Sequence, residues 1–327
     1  MSDRRPRRRY DRAVADGPEQ GHRHLSAVTS GDALADQPAG STLFVSPVDA
    51  GSVEAGAAPL SVTNWDIFDG ALLAVGFKYG DTIAVDGTAV KIGLGLALSA
   101  EHVFTDHMEA IQRGEAKPYC FGLRSDGGAD IWECYATASD STGSGDLQLL
   151  GLRLVSDVPA SRHFRVLPLT TRIPPLGEAV TVVGFRFDPS LPADSVDDHI
   201  SLPGMMYVSK GTAGEFSHPI HDTVLAPYPT IEVLSGSHGG MSGGAVLDVN
   251  GHIIGVTSRG LQHDDHQGPT LAAWWMPAIF WRPELTWPPH IYEQSPTLWD
   301  MPAVFIDGRE NVEMRGGNEF RLLDWWR

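Results

Sequence analysis

The sequence predicts an all-β protein, a sandwich or a barrel, and three observations carry that prediction. From Ser41 onward, short apolar runs rich in Val and Ile alternate with Gly, Pro, Asp and Asn, the pattern of many short strands separated by turns. Turn dipeptides fall between such runs: Asp86-Gly87 between Thr82 to Val85 and Thr88 to Ile92, and Asn250-Gly251 between Ala245 to Val249 and Ile253 to Thr257, each predicting a hairpin. Helical periodicity is scarce, with His107 to Arg113 and Thr270 to Trp281 the two best candidates for helices.

Residues 1 to 40 are rich in Arg, Asp, Gly, Pro and Ala and nearly devoid of large apolar side chains. Such a stretch cannot offset the entropy of ordering, so a disordered arm is expected there. The expected strands then follow at Thr42 to Val45, Ala71 to Phe77, Thr82 to Val85, Leu94 to Leu98, Leu147 to Leu154, Ala179 to Val183, Ala245 to Val249 and Ile253 to Thr257. Seven of the nine tryptophans lie after residue 273, among six prolines at 277, 283, 288, 289, 296 and 302. Bulky aromatics at irregular spacing among prolines predict a cap lying flat on the core, with a docking strip or a peptide-binding accessory piece as the alternatives. No internal repeat of fixed period is present.

Length and charge narrow the function classes. A chain of 327 residues with 42% hydrophobic content can bury a full core, as one bilobed domain or two. Lys+Arg 24 against Asp+Glu 41 gives a net charge of −17, although seven of the 20 arginines fall in the first 23 residues. A body this acidic is repelled by phosphate backbones and anionic membranes, which argues against a nucleic-acid partner for everything except the arginine-rich arm. No run of apolar residues is long enough to span a bilayer, and no apolar segment follows the early arginines as in a signal peptide, so a cytoplasmic location is expected. The two cysteines, Cys120 and Cys134, fit that compartment as free buried thiols, with a single bridge as the alternative.

The sharpest local signal is Gly239-Gly240-Met241-Ser242-Gly243-Gly244, followed at once by the apolar run from Ala245. Glycines let a backbone bend until its N–H groups converge, and a serine oxygen presented beside converging donors is suited to acyl transfer, where one such donor is worth roughly 3–4 kcal/mol. This run resembles the nucleophile motif of the trypsin-like serine proteases, in a form close to the bacterial trypsin-like peptidases. Upstream, the apolar stretch ending in Ser99-Ala100-Glu101-His102 resembles the family's strand and turn bearing the general base. Between them, Asp146-Leu147-Gln148-Leu149-Leu150 resembles the segment carrying the orienting aspartate, and Gly255 to Gly260 resembles the strand that lines the primary specificity pocket.

The resemblance covers about residues 66 to 285 in the family's order. It implies two six-stranded antiparallel barrels, residues 41–160 and 161–285, with a short C-terminal helix and an aromatic-rich extension over 286–327. It implies a serine endopeptidase acting on protein or peptide substrates without metal or other cofactor. His102, Asp146 and Ser242 would be catalytic, and the N–H groups of Gly240 and Ser242 the oxyanion hole. Ser237, His238, Ser258, Arg259 and Gly260 would contact substrate. Three departures from the animal-protease pattern stand out. Met241 replaces the aspartate that pairs with a newly cleaved amino terminus, which speaks against that activation route. Ala245 stands where proline is usual. Arg259 stands where many members carry an aromatic platform. The stretch Ser235-Gly236-Ser237-His238 at the expected pocket floor has no carboxylate, so a small or medium apolar residue before the scissile bond is favoured over Arg or Lys.

Other readings compete. The spacing of Gly240, Ser242 and Gly244 also satisfies the nucleophile elbow of α/β-hydrolases, yet the helix and strand alternation of that fold is missing upstream and few residues follow the serine. His263-Asp264-Asp265-His266 has metal-ligand residue types, but in a polar loop bounded by Gly260 and Gly268 it reads as solvated. A catalytically silent peptide-binding module on the same scaffold, or an esterase or acyl transferase, are the functional alternatives.

Overall fold

The computed structural model describes residues 23–28, 42–62, 66–139, 145–158, 162–187, 194–196, 199–261, 267–288, 292, 295–316 and 318–323. The elements in chain order begin with β1 (Arg23–Val28), β2 (Thr42–Val45) and β3 (Leu60–Val62). Six strands follow: β4 (Leu72–Tyr79), β5 (Thr82–Gly93), β6 (Leu96–Ser99), β7 (Lys117–Leu123), β8 (Ala129–Ala138) and β9 (Gln148–Leu154). Between β6 and β7 lie two short helices, α1 (His102–Thr105) and α2 (Met108–Gln112). Then come β10 (His163–Val166), β11 (Leu169–Thr170), β12 (Ala179–Phe187), β13 (Asp194–Val196) and β14 (His199–Ser217). β15 (Thr230–Val233), β16 (Ala245–Leu247), β17 (Ile253–Gly260) and β18 (Thr270–Trp274) precede the small strands β19 (Ile306–Asp307), β20 (Val312–Arg315) and β21 (Glu319–Leu322).

Antiparallel pairing runs β4 to β5 to β6 to β9 to β8 to β7 and back to β4, closing a first six-stranded barrel. A second ring runs β12 to β14 to β15 to β18 to β17 to β16 and back to β12. The protein is thus all-β and built as two closed antiparallel barrels. Closure removes the open sheet edges that would otherwise template aggregation. Strand β4 shows why its sequence is a continuous apolar run: Leu73, Val75 and Phe77 join one buried cluster while Leu72 and Ala74 join the other, so both faces are covered.

Several expectations change. Asp86-Gly87 is not a hairpin turn: β5 runs unbroken from Thr82 to Gly93, and the extra residue is absorbed as a bulge opposite Val75 and Gly76. The reversal between β4 and β5 lies instead at Gly80-Asp81, since Tyr79 pairs with Thr82. Thr270 to Trp281 is not one helix. Its first half is β18, held between β15 and β17, and only Met276–Phe280 coils, as a 3₁₀ turn. Alternate positions of β18 are covered on both sides, which makes a buried strand look like a buried helix to periodicity alone. The short helix expected near His107 is present as α2. Within the stretch read as a disordered arm, Arg23–Val28 is extended and antiparallel to residues 199–204, so that expectation does not hold for those six residues. The β-compatible run Leu25-Ser26-Ala27-Val28 accounts for the difference.

Cys120 and Cys134 are both buried and unbridged. Burial pushes both thiols up, Cys134 to about 12, which keeps them protonated and unreactive. Within the tryptophan-rich extension, Trp287 is fully buried and meets Trp132 edge to face, ring centroids 5.6 Å apart. Trp325 and Trp326 lie outside the described residues.

Candidate active site

His102 opens α1 directly after β6, where the chain turns at Ala100-Glu101. Val103 and Phe104 beside it are buried and anchor the turn, while the imidazole remains partly exposed. Asp146 stands just ahead of β9, and its carboxylate is buried. Its Oδ1 accepts the backbone N–H of His102 at 3.0 Å, and its Oδ2 faces His102 Nδ1 at 2.7 Å. A carboxylate can only accept, so Nδ1 carries the proton and Nε2 is left as the accepting nitrogen of the neutral ring. Ser258 Oγ donates to the same Oδ2 at 2.5 Å. Burial on its own raises the proton affinity of Asp146. The hydrogen bond and charge of His102, then the Ser258 hydroxyl and the His102 N–H, outweigh it and hold the carboxyl below its ordinary value.

The serine loop is fixed by bonds that spare two N–H groups. Met241 N–H donates to the His238 carbonyl (3.1 Å), Gly243 N–H to Thr257 (2.7 Å) and Gly244 N–H to Met241 (2.9 Å). Because the Met241 carbonyl is turned toward Gly244, the N–H of Ser242 on the same peptide plane points the other way. Among the described residues, neither that N–H nor the N–H of Gly240 donates a hydrogen bond. Gly240 and Gly243 have φ of +90° and +80°, which L side chains rarely adopt. The Met241 side chain is fully buried against Gly184, with no carboxylate in its place to receive an amino terminus.

The two barrels meet at this loop. Thr88, in β5 of the first barrel, donates its backbone N–H to the Ser242 carbonyl (2.8 Å) and its hydroxyl to the Gly240 carbonyl (2.8 Å). The Thr88 hydroxyl in turn accepts the N–H of Phe185 in β12 (2.9 Å). A Cβ on Gly243 would lie 2.3 Å from Ser99 Oγ and 2.8 Å from the Ala100 nitrogen, so the serine loop seats on the turn that leads into His102. The Ser242 hydroxyl is partly exposed and makes no hydrogen bond among the described residues.

The residues expected at the substrate divide. Ser237 is buried and faces Gly260, whose Cβ position would fall 2.7 Å from Ser237 Oγ. His238 is partly buried, its ring edge-on to Tyr207 at 5.0 Å between centroids. Arg259 and Gly260 are exposed at the end of β17. The side chain of Ser258 is committed inward to Asp146, which leaves only its backbone for a substrate. Beyond Ser258, Tyr228 Oη lies 2.5 Å from its hydroxyl. Thr88 and Tyr228 carried no sequence signal, since each matters only through partners more than 29 residues away. The cluster His263-Asp264-Asp265-His266 lies outside the described residues. Among the described residues no set of His, Cys, Asp or Glu is grouped as for a metal ion.

A family model described as the trypsin-like peptidase domain matches residues 83–256, more than half of the chain and all of the span from Thr88 through Ser242. The chain belongs to the trypsin-like peptidase family. Among solved structures, this family member is similar to that of Deg5 (16% identity, TM-score 0.41), with 58% of this chain and 80% of that one covered. It is also similar to the serine endoprotease from Yersinia pestis (18% identity, TM-score 0.41), with 64% of this chain and 60% of that one covered. No curated protein matches it.

Proposed function

We propose that this trypsin-like peptidase is a serine endopeptidase that cleaves peptide bonds through His102, Asp146 and Ser242. The observation that carries the proposal is the His102–Asp146 pair, which leaves Nε2 as acceptor beside a serine loop with two uncommitted N–H groups. Ser242 Oγ attacks the carbonyl carbon of the scissile bond while its proton passes to His102 Nε2. The oxygen that becomes negative is held by the N–H groups of Gly240 and Ser242. As the C–N bond breaks, His102 returns the proton to the leaving amine. Water, deprotonated by the same nitrogen, then hydrolyses the acyl ester and restores Ser242. Asp146 keeps the ring in one tautomer and stabilises the imidazolium. The Ser242–His102 contact closes when substrate is bound, as catalytic hydrogen bonds often tighten only in the complex.

Substrate backbone is proposed to pair with the end of β17, at exposed Arg259 and Gly260 and at the backbone of buried Ser258, and the side chain before the scissile bond to enter beside Ser237 and His238. The stretch Ser235-Gly236-Ser237-His238 carries no carboxylate, which favours an uncharged side chain of small or medium size. A diverse peptide library digested with the protein and read for new termini tests the reading. Cleavage after such residues, lost in Ser242→Ala and His102→Ala, is expected. An uncut library from the folded protein, with or without turnover of small esters, overturns it.

A further inference from the structure

Tyr228 lies outside the catalytic groups and outside the expected substrate contacts, yet it ends a continuous hydrogen-bonded line into them. Its Oη is 2.5 Å from Ser258 Oγ, which is 2.5 Å from Asp146 Oδ2, which is 2.7 Å from His102 Nδ1. Tyr228 and Ser258 are both buried, 5% and 2% exposed. The direction of each bond follows from chemistry alone. Asp146 has only lone pairs to offer, so the single hydroxyl proton of Ser258 goes to Asp146. The Ser258 oxygen is then an acceptor toward Tyr228, and the phenol proton goes to Ser258.

We infer that Tyr228 is a positioning residue of this active site, setting the basicity of His102 through Ser258 and Asp146. By donating to Ser258 it prevents that hydroxyl from rotating away and polarises it, since each donated bond in a chain strengthens the next. A better-donating Ser258 draws charge from the Asp146 carboxylate and moderates its pull on the His102 proton. The charged groups facing this line are Asp146 and the guanidinium of Arg259 beside Tyr228, with His102 at its far end. Removing the phenol oxygen therefore leaves a more basic carboxylate and raises the proton affinity of His102.

The catalytic part of this inference rests on the peptidase reading, but the titration of His102 does not. The experiment is a titration of the His102 ring by nuclear magnetic resonance on full-length protein with labelled histidine, in wild type, Tyr228→Phe, Ser258→Ala and the double variant. His102→Gln assigns the resonance, and circular dichroism checks each fold. The His102 midpoint is expected to move to higher pH in Tyr228→Phe, and this added shift to vanish when Ser258 is already Ala. If the protein cleaves peptides, kcat should fall roughly 3- to 10-fold, the equivalent of one ordinary hydrogen bond, with KM unchanged. An unmoved midpoint in folded Tyr228→Phe overturns the inference, and so does a shift that persists in the Ser258→Ala background. A protein that titrates as expected but cleaves nothing leaves the relay standing and overturns the peptidase reading instead.

Discussion

Thr88 in the first barrel grips Ser242 in the second: its backbone N–H donates to the Ser242 carbonyl at 2.8 Å while its hydroxyl bridges the Gly240 carbonyl and the Phe185 N–H. One residue thus ties β5, which packs near the His102 turn, to the carbonyls of Gly240 and Ser242 on either side of Met241. Replacing Thr88 with Val keeps the shape and deletes both hydroxyl bonds. Taking this partner from a buried donor and a part-buried acceptor should lower unfolding free energy by about 1–3 kcal/mol in urea titrations. It should also reduce kcat more than it raises KM, with Thr88→Ser recovering most of both.

Gly243 has no room for a side chain. Its Cβ would fall 2.1 Å from the Thr88 carbonyl oxygen at a φ of +80°. Gly243→Ala should therefore displace the serine loop from the first barrel, costing about 2–4 kcal/mol in stability and most of the activity. Thermal unfolding and initial rates measured on the same preparation check this.

The state of Asp146 makes a pH prediction. Its folded-state value lies below the ordinary 3.8, so its contribution to stability is fully present above 3.8 and is lost as the pH falls through the depressed value. Urea unfolding between about pH 2 and pH 6 should show this acid loss in wild type and a flatter profile in Asp146→Asn, which has no carboxylate to protonate. The variant should also lose kcat/KM at neutral pH, because an amide no longer fixes the ring tautomer.

Lys91 is fully buried, its Nζ 4.9 Å from the centroid of Trp132 and 5.4 Å from that of Phe164, with no hydrogen-bond partner among the described residues. Burial brings its value down from 10.5 to about 8. The unfolded chain holds this proton more tightly, so folding carries the full penalty below about 8, and stability rises as the pH climbs toward 10.5. Lys91→Met should be more stable than wild type at neutral pH and should lack the alkaline rise, as read by urea unfolding across that range.

How much was legible in the sequence depended on how local each feature is. The glycines around Ser242, the turn at His102 and the segment at Asp146 are read from neighbouring residues, and the strands ahead of them are plain apolar runs. Asp86-Gly87 misleads because a bulge and a hairpin turn use the same residue types, and only pairing with β4 tells them apart. Thr270–Trp274 misleads because a strand covered on both faces loses its alternation. Ser258 was expected at the substrate, whereas its hydroxyl turns inward, since a carboxylate 112 residues away needs a donor there. Thr88 and Tyr228 were invisible for the same reason.

Labelling with a fluorophosphonate probe reads whether Ser242 is a nucleophile activated by His102. A covalent adduct mapped by mass spectrometry to Ser242 is expected in the folded protein, lost in Ser242→Ala and strongly slowed in His102→Ala. Folded wild-type protein that stays unlabelled, or labels equally without His102, would contradict it.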